Sequence, residues 1–144
     1  MATKQLGLVL RLAREQRDAA AARLAEAQQR LSGASEQLEQ LINYQRQYAQ
    51  QSDQTATRGV SVQALADARR FIAELDNVIS AQRDRVASHE REVSGFADSW
   101  ADATRYMQSI EQLIALRQAE EQQRQTKKEQ QQADDLYAQQ LFGR

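Results

Sequence analysis

Stepping alternately four and three residues from Leu6 lands on Leu6, Leu10, Ala13, Arg17, Ala20, Leu24, Ala27, Leu31, Ala34, Leu38, Leu41, Gln45 and Tyr48, of which only Arg17 and Gln45 are clearly polar. A repeat of about 3.5 residues held over so many heptads predicts the seam of a coiled coil. A second seam runs through Leu65, Ala68, Ile72, Leu75, Ile79, Gln82, Val86, His89, Val93, Phe96, Trp100, Ala103, Met107, Ile110 and Ile114, interrupted only by Gln82 and His89. Carrying the first repeat on from Tyr48 gives Ser52, Thr55, Gly59, Val62 and Ala66, mostly polar and out of phase with Leu65. The stripe restarts, so the chain turns between the two seams.

The segment Ser52 to Ser61 is polar, rich in small residues and holds the only glycine between the seams. It predicts a turn at about 53–60, between one helix over 3–52 and a second over 61–138, the whole chain forming a single hairpin. Ser61 is placed to cap the second helix, with Val60 packing on Leu65 as a hydrophobic staple. The fold class expected is therefore all-α, two long helices in an antiparallel coiled-coil hairpin.

Folding back at about residue 56 would set Leu41 near Ile72, Leu38 near Leu75, Ala27 near Val86 and Ala13 near Trp100. Small residues of one helix then face bulky residues of the other, as close interdigitation requires. The same register puts the N-terminus opposite residues near 110, leaving the rest of the second helix overhanging by about 45 Å if helical. The seam fails after Ile114, and Arg117 to Gln125 is nearly all polar. Such a lone polar helix has little to hold it rigid.

Composition narrows the function more than the fold. Hydrophobic residues make up 41% of the chain, largely alanine, and proline is absent. That is too little bulky material for a thick core and leaves helices uninterrupted. Charged residues make up 27% yet leave a net charge of -1, so no global attraction to nucleic acid or anionic lipid is expected. With no cysteine, disulfide, thiolate and cysteine-metal chemistry are all ruled out. No stretch approaches the roughly 20 apolar residues of a membrane span, so a soluble intracellular protein is expected, without direct membrane insertion.

Candidate chemistry is sparse. His89 is the only histidine and sits on the seam without partners at metal-ligand spacing, which favours a structural or partly solvated role. Asp134-Asp135 and Lys127-Lys128 read most simply as a solvated helix face. A helical hairpin offers no cleft to desolvate paired carboxylates, and no phosphate loop, serine elbow or dinucleotide fingerprint occurs. The expectation is a protein that is not an enzyme, with no cofactor and no metal. Trp100, Met107 and Phe96 are accounted for by packing in the seam.

Large residues beside the seam are more telling. Leu41-Tyr44-Tyr48 and Phe71-Leu75-Val78 form two short stripes at helical spacing, and residues 44 and 71 are near mirror positions about the turn. Both stripes should meet on one side near the closed end, either as a locally widened core or as an exposed binding patch. Leu136, Tyr137, Leu141 and Phe142 return apolar weight to the tail, as a docking segment or a frayed amphipathic end.

Several segments together carry a resemblance. Gln37-Leu38-Glu39-Gln40-Leu41-Ile42-Asn43-Tyr44-Gln45-Arg46-Gln47-Tyr48, then Gly59-Val60-Ser61, then Phe71-Ile72-Ala73-Glu74-Leu75, then Trp100, then Lys127-Lys128 and Asp134-Asp135-Leu136-Tyr137-Ala138 resemble the flagellar export protein FliJ family over nearly the whole chain. The lengthened glutamine-rich gap before Asp134 departs from the family pattern.

The resemblance implies a cytoplasmic component of the flagellar type III export apparatus, peripherally associated with the membrane at the flagellar base. Family members look like the central stalk of rotary ATPases, entering the pore of the hexameric export ATPase, contacting the membrane export gate and helping to handle export chaperones. Carried onto this sequence, gate contact is expected at Gln37, Leu41, Tyr44, Tyr48, Phe71, Leu75, Val78 and Gln82. Contact with the ATPase ring is expected at the open end, at Leu6, Leu10, Leu113, Leu116, Leu136, Tyr137, Leu141 and Phe142.

Two other classes compete. A generic chaperone or adaptor, such as a prefoldin-like hairpin, would need a β-rich base, and no strand-forming segment supplies one. A membrane-surface helix needs a basic face opposite bulky apolar residues, whereas the tail carries mixed charges.

Overall fold

The computed structural model describes residues 3–143. Two helices account for nearly all of them, α1 (Thr3–Thr57) and α2 (Val62–Phe142), and no strand occurs among the described residues. Among the described residues no helix is long and apolar enough to cross a membrane.

α1 runs further than the turn chemistry predicts. α1 continues to Thr57 because nothing between Ser52 and Thr57 breaks it, and the Thr55 and Thr57 hydroxyls donate to the carbonyls of Gln51 and Gln54 at 2.8 and 2.7 Å. It stops at Gly59, whose φ of 88° is the left-handed conformation that ends helices. α2 then opens at Val62 with the expected cap, the Ala64 amide donating to the Ser61 hydroxyl at 3.1 Å. Val60 and Leu65 line one depression with Tyr48 and Ala68, as a staple would. At its far end α2 stays helical to Phe142 rather than stopping near 138.

The chain divides into two compact units, residues 20–100 and residues 1–19 with 101–144. The unit 20–100 is a helical hairpin closed by the short turn. Its α1 face is Ala20, Leu24, Ala27, Leu31, Ala34, Leu38, Leu41, Gln45 and Tyr48, every one buried or half-buried as the seam predicts. Its α2 face agrees from Leu65 to Phe96, with Leu75, Ile79 and Gln82 fully buried. Ala20, Ala27 and Ala34 are buried to 3%, 0% and 7% exposure, so the second helix lies directly over these methyl groups.

The register differs from the expected one. Gln45 donates to the carbonyl of Ile72 at 3.2 Å and to Asp76 at 2.6 Å, Gln82 donates to the carbonyl of Ala34 at 2.9 Å, and Arg30 lies 3.6 Å from Glu92. Ile72 thus faces Gln45 rather than Leu41, and the partners of Ala27 lie beyond Val86. The cause is the length of α1: with the turn reduced to Arg58–Ser61, the fold-back point moves toward the C-terminus and carries every pairing with it. Gln82, buried in the seam and tied to one backbone carbonyl, fixes this register as a polar seam residue does.

The other unit pairs residues 3–19 of α1 with α2 from Ala101. Leu6 and Ala13 are buried against a face that includes Met107, also buried. Arg17 occupies a seam position with its guanidinium 3.2 Å from the Met107 sulfur, and its charge turns outward to Asp18 at 2.8 Å. Arg14 pairs with Glu111 at 3.7 Å, which sets Ala13 level with Met107 to Glu111 rather than with Trp100. Trp100 itself is 39% exposed, so it is not the core residue the seam suggests. Around it Ala97, Ala101 and Thr104 become half-buried, showing that the inward face of α2 has rotated onto smaller residues.

Gly33 lies inside α1, and a methyl group added there would meet no atom within 4 Å. Glycine in a helix interior costs about 1 kcal/mol relative to alanine, so Gly33→Ala should raise stability by that amount in a urea melt followed by circular dichroism. A destabilised Gly33→Ala chain would mean that something packs on that face.

Candidate functional site

Within the unit 20–100, the two flank stripes meet as their mirror placement predicts. Phe71 is half-buried between Tyr48, ring centroid 4.7 Å away and steeply inclined, and Tyr44, edge-on at 6.5 Å. Such edge-to-face pairs hold rings in a fixed arrangement beyond their area burial. Tyr44 and Val78 remain 51% and 49% exposed on the outside of this cluster. Gln37, Gln40, Leu41 and Tyr44 border a shallow groove whose floor includes Gln82.

The residues expected here therefore fall into layers. Leu75 and Gln82 are buried in the seam, where they support the patch rather than offer a contact. Leu41, Tyr48 and Phe71 are half-buried, and Gln37, Tyr44 and Val78 form the accessible surface. Gln37 also accepts a 3.3 Å bond from Gln82, so the seam glutamine links the register to the groove rim. Both readings of the stripes thus hold for different atoms: the inner rings widen the core, and the outer ones form an apolar surface.

The residues expected at the open end divide in the same way. Leu6 is buried at 2% exposure and Leu10 is half-buried, both within the seam. Leu113, Leu116, Leu136, Tyr137, Leu141 and Phe142 are all exposed. Every described residue from Gln118 to Gly143 is exposed; Thr3 at the start of α1 still borders α2 as far as Gln125, and beyond that α2 has no neighbour among the described residues. Local support comes from contacts such as Arg124 with Glu121 at 3.8 Å and Gln125 with Glu129 at 3.2 Å.

Sequence reasoning did not single out Leu8, Leu12 and Tyr106, each about half exposed. Their position one or two places off the seam was the available signal. Leu12 with Val9, and Tyr106 with Leu113 and Leu116, precede seam positions on their respective helices, whereas Arg14 and Glu111 follow them. In an antiparallel pair the preceding positions of both helices share one edge and the following positions the other, and the Arg14–Glu111 ion pair marks the second edge. One edge of this unit is therefore apolar and the other charged.

His89 is half-buried, with Nδ1 3.5 Å from a Glu92 carboxylate that also faces Arg30 at 3.6 Å, and that nitrogen makes no hydrogen bond. Among the described residues no group of three or more histidine, aspartate or glutamate side chains gathers to hold a metal. The depressions on the surface are open grooves, one of them lined by α2 alone. The geometry is that of contact surfaces.

Neither a curated protein nor a solved structure matches this chain. A family model does: that of the flagellar FliJ protein matches residues 2–144. Matched over essentially its whole length and built of two long helices joined by a capped turn, the chain belongs to the flagellar FliJ protein family and is a flagellar, export-related coiled-coil protein.

Proposed function

We propose that this chain is the central stalk of the hexameric flagellar export ATPase, a non-enzymatic part that links the ring to the membrane export gate and to export chaperones. The observation that carries the reading is the stretch of α2 beyond its last seam residue. Beyond Gln125 a continuous helix has no neighbour among the described residues of its own chain, yet it ends in Leu136, Tyr137, Leu141 and Phe142 at 56–84% exposure. A ring around that helix supplies the burial it lacks and lowers the entropy cost of keeping it straight. The aromatic patch on the other unit then serves the gate, which places the protein at the inner face of the membrane. The accessible ring contacts are Leu113, Leu116, Leu136, Tyr137, Leu141 and Phe142, with Leu6 and Leu10 shaping the seam beneath them.

Truncation after Arg117 tests the assignment. It removes no buried side chain, so the remaining chain should keep its helicity and melting temperature. Stimulation of the purified export ATPase should fall to the basal rate. Undiminished stimulation would overturn the stalk reading.

A further inference from the structure

We infer that the free chain pairs with a second copy of itself through the exposed length of α2, antiparallel and about a twofold axis near Gln123 and Arg124. This inference does not rest on the stalk reading. It starts from two uncovered apolar surfaces on one helix, separated by a polar stretch. The first is the edge formed by Leu12, Tyr106, Leu113 and Leu116, and the second is the tail at Leu141 and Phe142. At about 100° per residue, Tyr106, Leu113, Leu116, Leu141 and Phe142 fall on one side of α2, with Glu120 and Lys127 on the same side between them.

The charges between the surfaces select the occupant and its direction. Reading outward from Gln123 and Arg124, Glu120 on one side and Lys127 on the other lie at equal distances, with Glu121 and Lys128 next to them. Turning a second copy end for end brings Glu120 of each chain to Lys127 of the other, and Glu121 beside Lys128. The same operation lays Leu141 and Phe142 of one chain on Tyr106 and the Leu12 edge of its partner, and Ala138 beside Ser109 and Leu113. Each chain thereby covers both of its exposed surfaces with the same contact made twice, as a twofold interface requires. A parallel pair would set Glu120 against Glu120 and Lys127 against Lys127. Antiparallel helices also align their macrodipoles favourably.

Under the proposed stalk reading the same surfaces serve the ring, so pairing and ring entry would exclude each other.

The absence of cysteine gives a direct test on the full chain. Gln123→Cys, next to the axis, should form a disulfide-linked dimer under mild oxidation. Ala133→Cys, equally exposed, should not, since the two positions would lie about 30 Å apart across the axis. Sedimentation equilibrium adds a charge-swap test. Glu120→Lys and Lys127→Glu should each weaken self-association about tenfold, and the double variant should restore it to within about threefold. Both substitutions lie on the exposed helix, so the folded unit is unaffected. Equal cross-linking at 123 and 133, a double variant no better than the singles, or a chain that stays monomeric throughout would each overturn the inference. In the monomeric case, protection of Gln123→Cys by the ATPase would assign the surfaces to the ring alone.

Discussion

Ala27→Leu is expected to destabilise the hairpin by about 2–3 kcal/mol. Ala27 is 0% exposed, and the alanines one heptad away on either side, Ala20 and Ala34, are nearly as buried. A seam with alanine at alternate layers draws the helices together until the facing backbone almost touches the methyl groups. Three extra carbons at the centre of that contact have nowhere to go. The helices must separate, which loosens the neighbouring layers and pulls the Gln82 amide away from the Ala34 carbonyl, now at 2.9 Å. A buried donor left unsatisfied adds to the cost. Thermal melting by circular dichroism should show a fall on the order of 10 °C. By contrast Leu24, half-buried at the seam's edge, should tolerate methionine with little change. An Ala27→Leu chain that melts like the parent would show that the helices are not held at close approach.

The same alanines show what was legible in the sequence. A repeat of four and three residues is a local property of one helix, and it identified the buried face of α1 residue by residue. Register is not local. It depends on where the turn falls, and the polar run from Ser52 to Thr57 reads as a turn by composition while continuing as a helix in fact, because nothing in it breaks a helix and only Gly59 provides a left-handed stop. An error of a few residues in one boundary thus displaced every partner across the seam. Trp100 was misread for a related reason: a bulky residue at the correct spacing looks like core, but the smaller Ala97, Ala101 and Thr104 turn inward around it. Among the site residues, spacing located the stripes but could not rank their burial, since Leu75 and Gln82 belong to the seam and to the stripe at once. Leu12 and Tyr106 escaped because an edge shared by two helices appears only when their faces are aligned.

Tyr44→Ala is expected to weaken binding to the proposed partner of the aromatic patch, the export gate, by about thirtyfold, while costing the hairpin no more than about 1 kcal/mol, the worth of one edge-on pair. Tyr44 presents half its surface to solvent on the rim of the groove with Gln37 and Leu41, so its loss removes mostly exposed surface and, within the folded chain, its one edge-on contact with Phe71 at 6.5 Å. Truncating an aromatic anchor at the centre of an interface commonly costs about 2 kcal/mol, which sets the magnitude. Phe71→Ala should behave differently. Its ring stands between Tyr48 at 4.7 Å and Tyr44 at 6.5 Å, so it holds the outer tyrosine in place from beneath. Removing it should lower stability by about 1–2 kcal/mol, through the lost edge-to-face pairs and the cavity they leave, and weaken binding at least as much as Tyr44→Ala. Titrating each variant against the isolated gate domain, with melting curves taken in parallel, separates the two effects. Tyr44 supplies contact and Phe71 supplies support only if the Tyr44 variant loses affinity at little cost in stability. A Tyr44→Ala chain that binds as tightly as the parent would show that the exposed ring is not an anchor and that the patch serves only to widen the core.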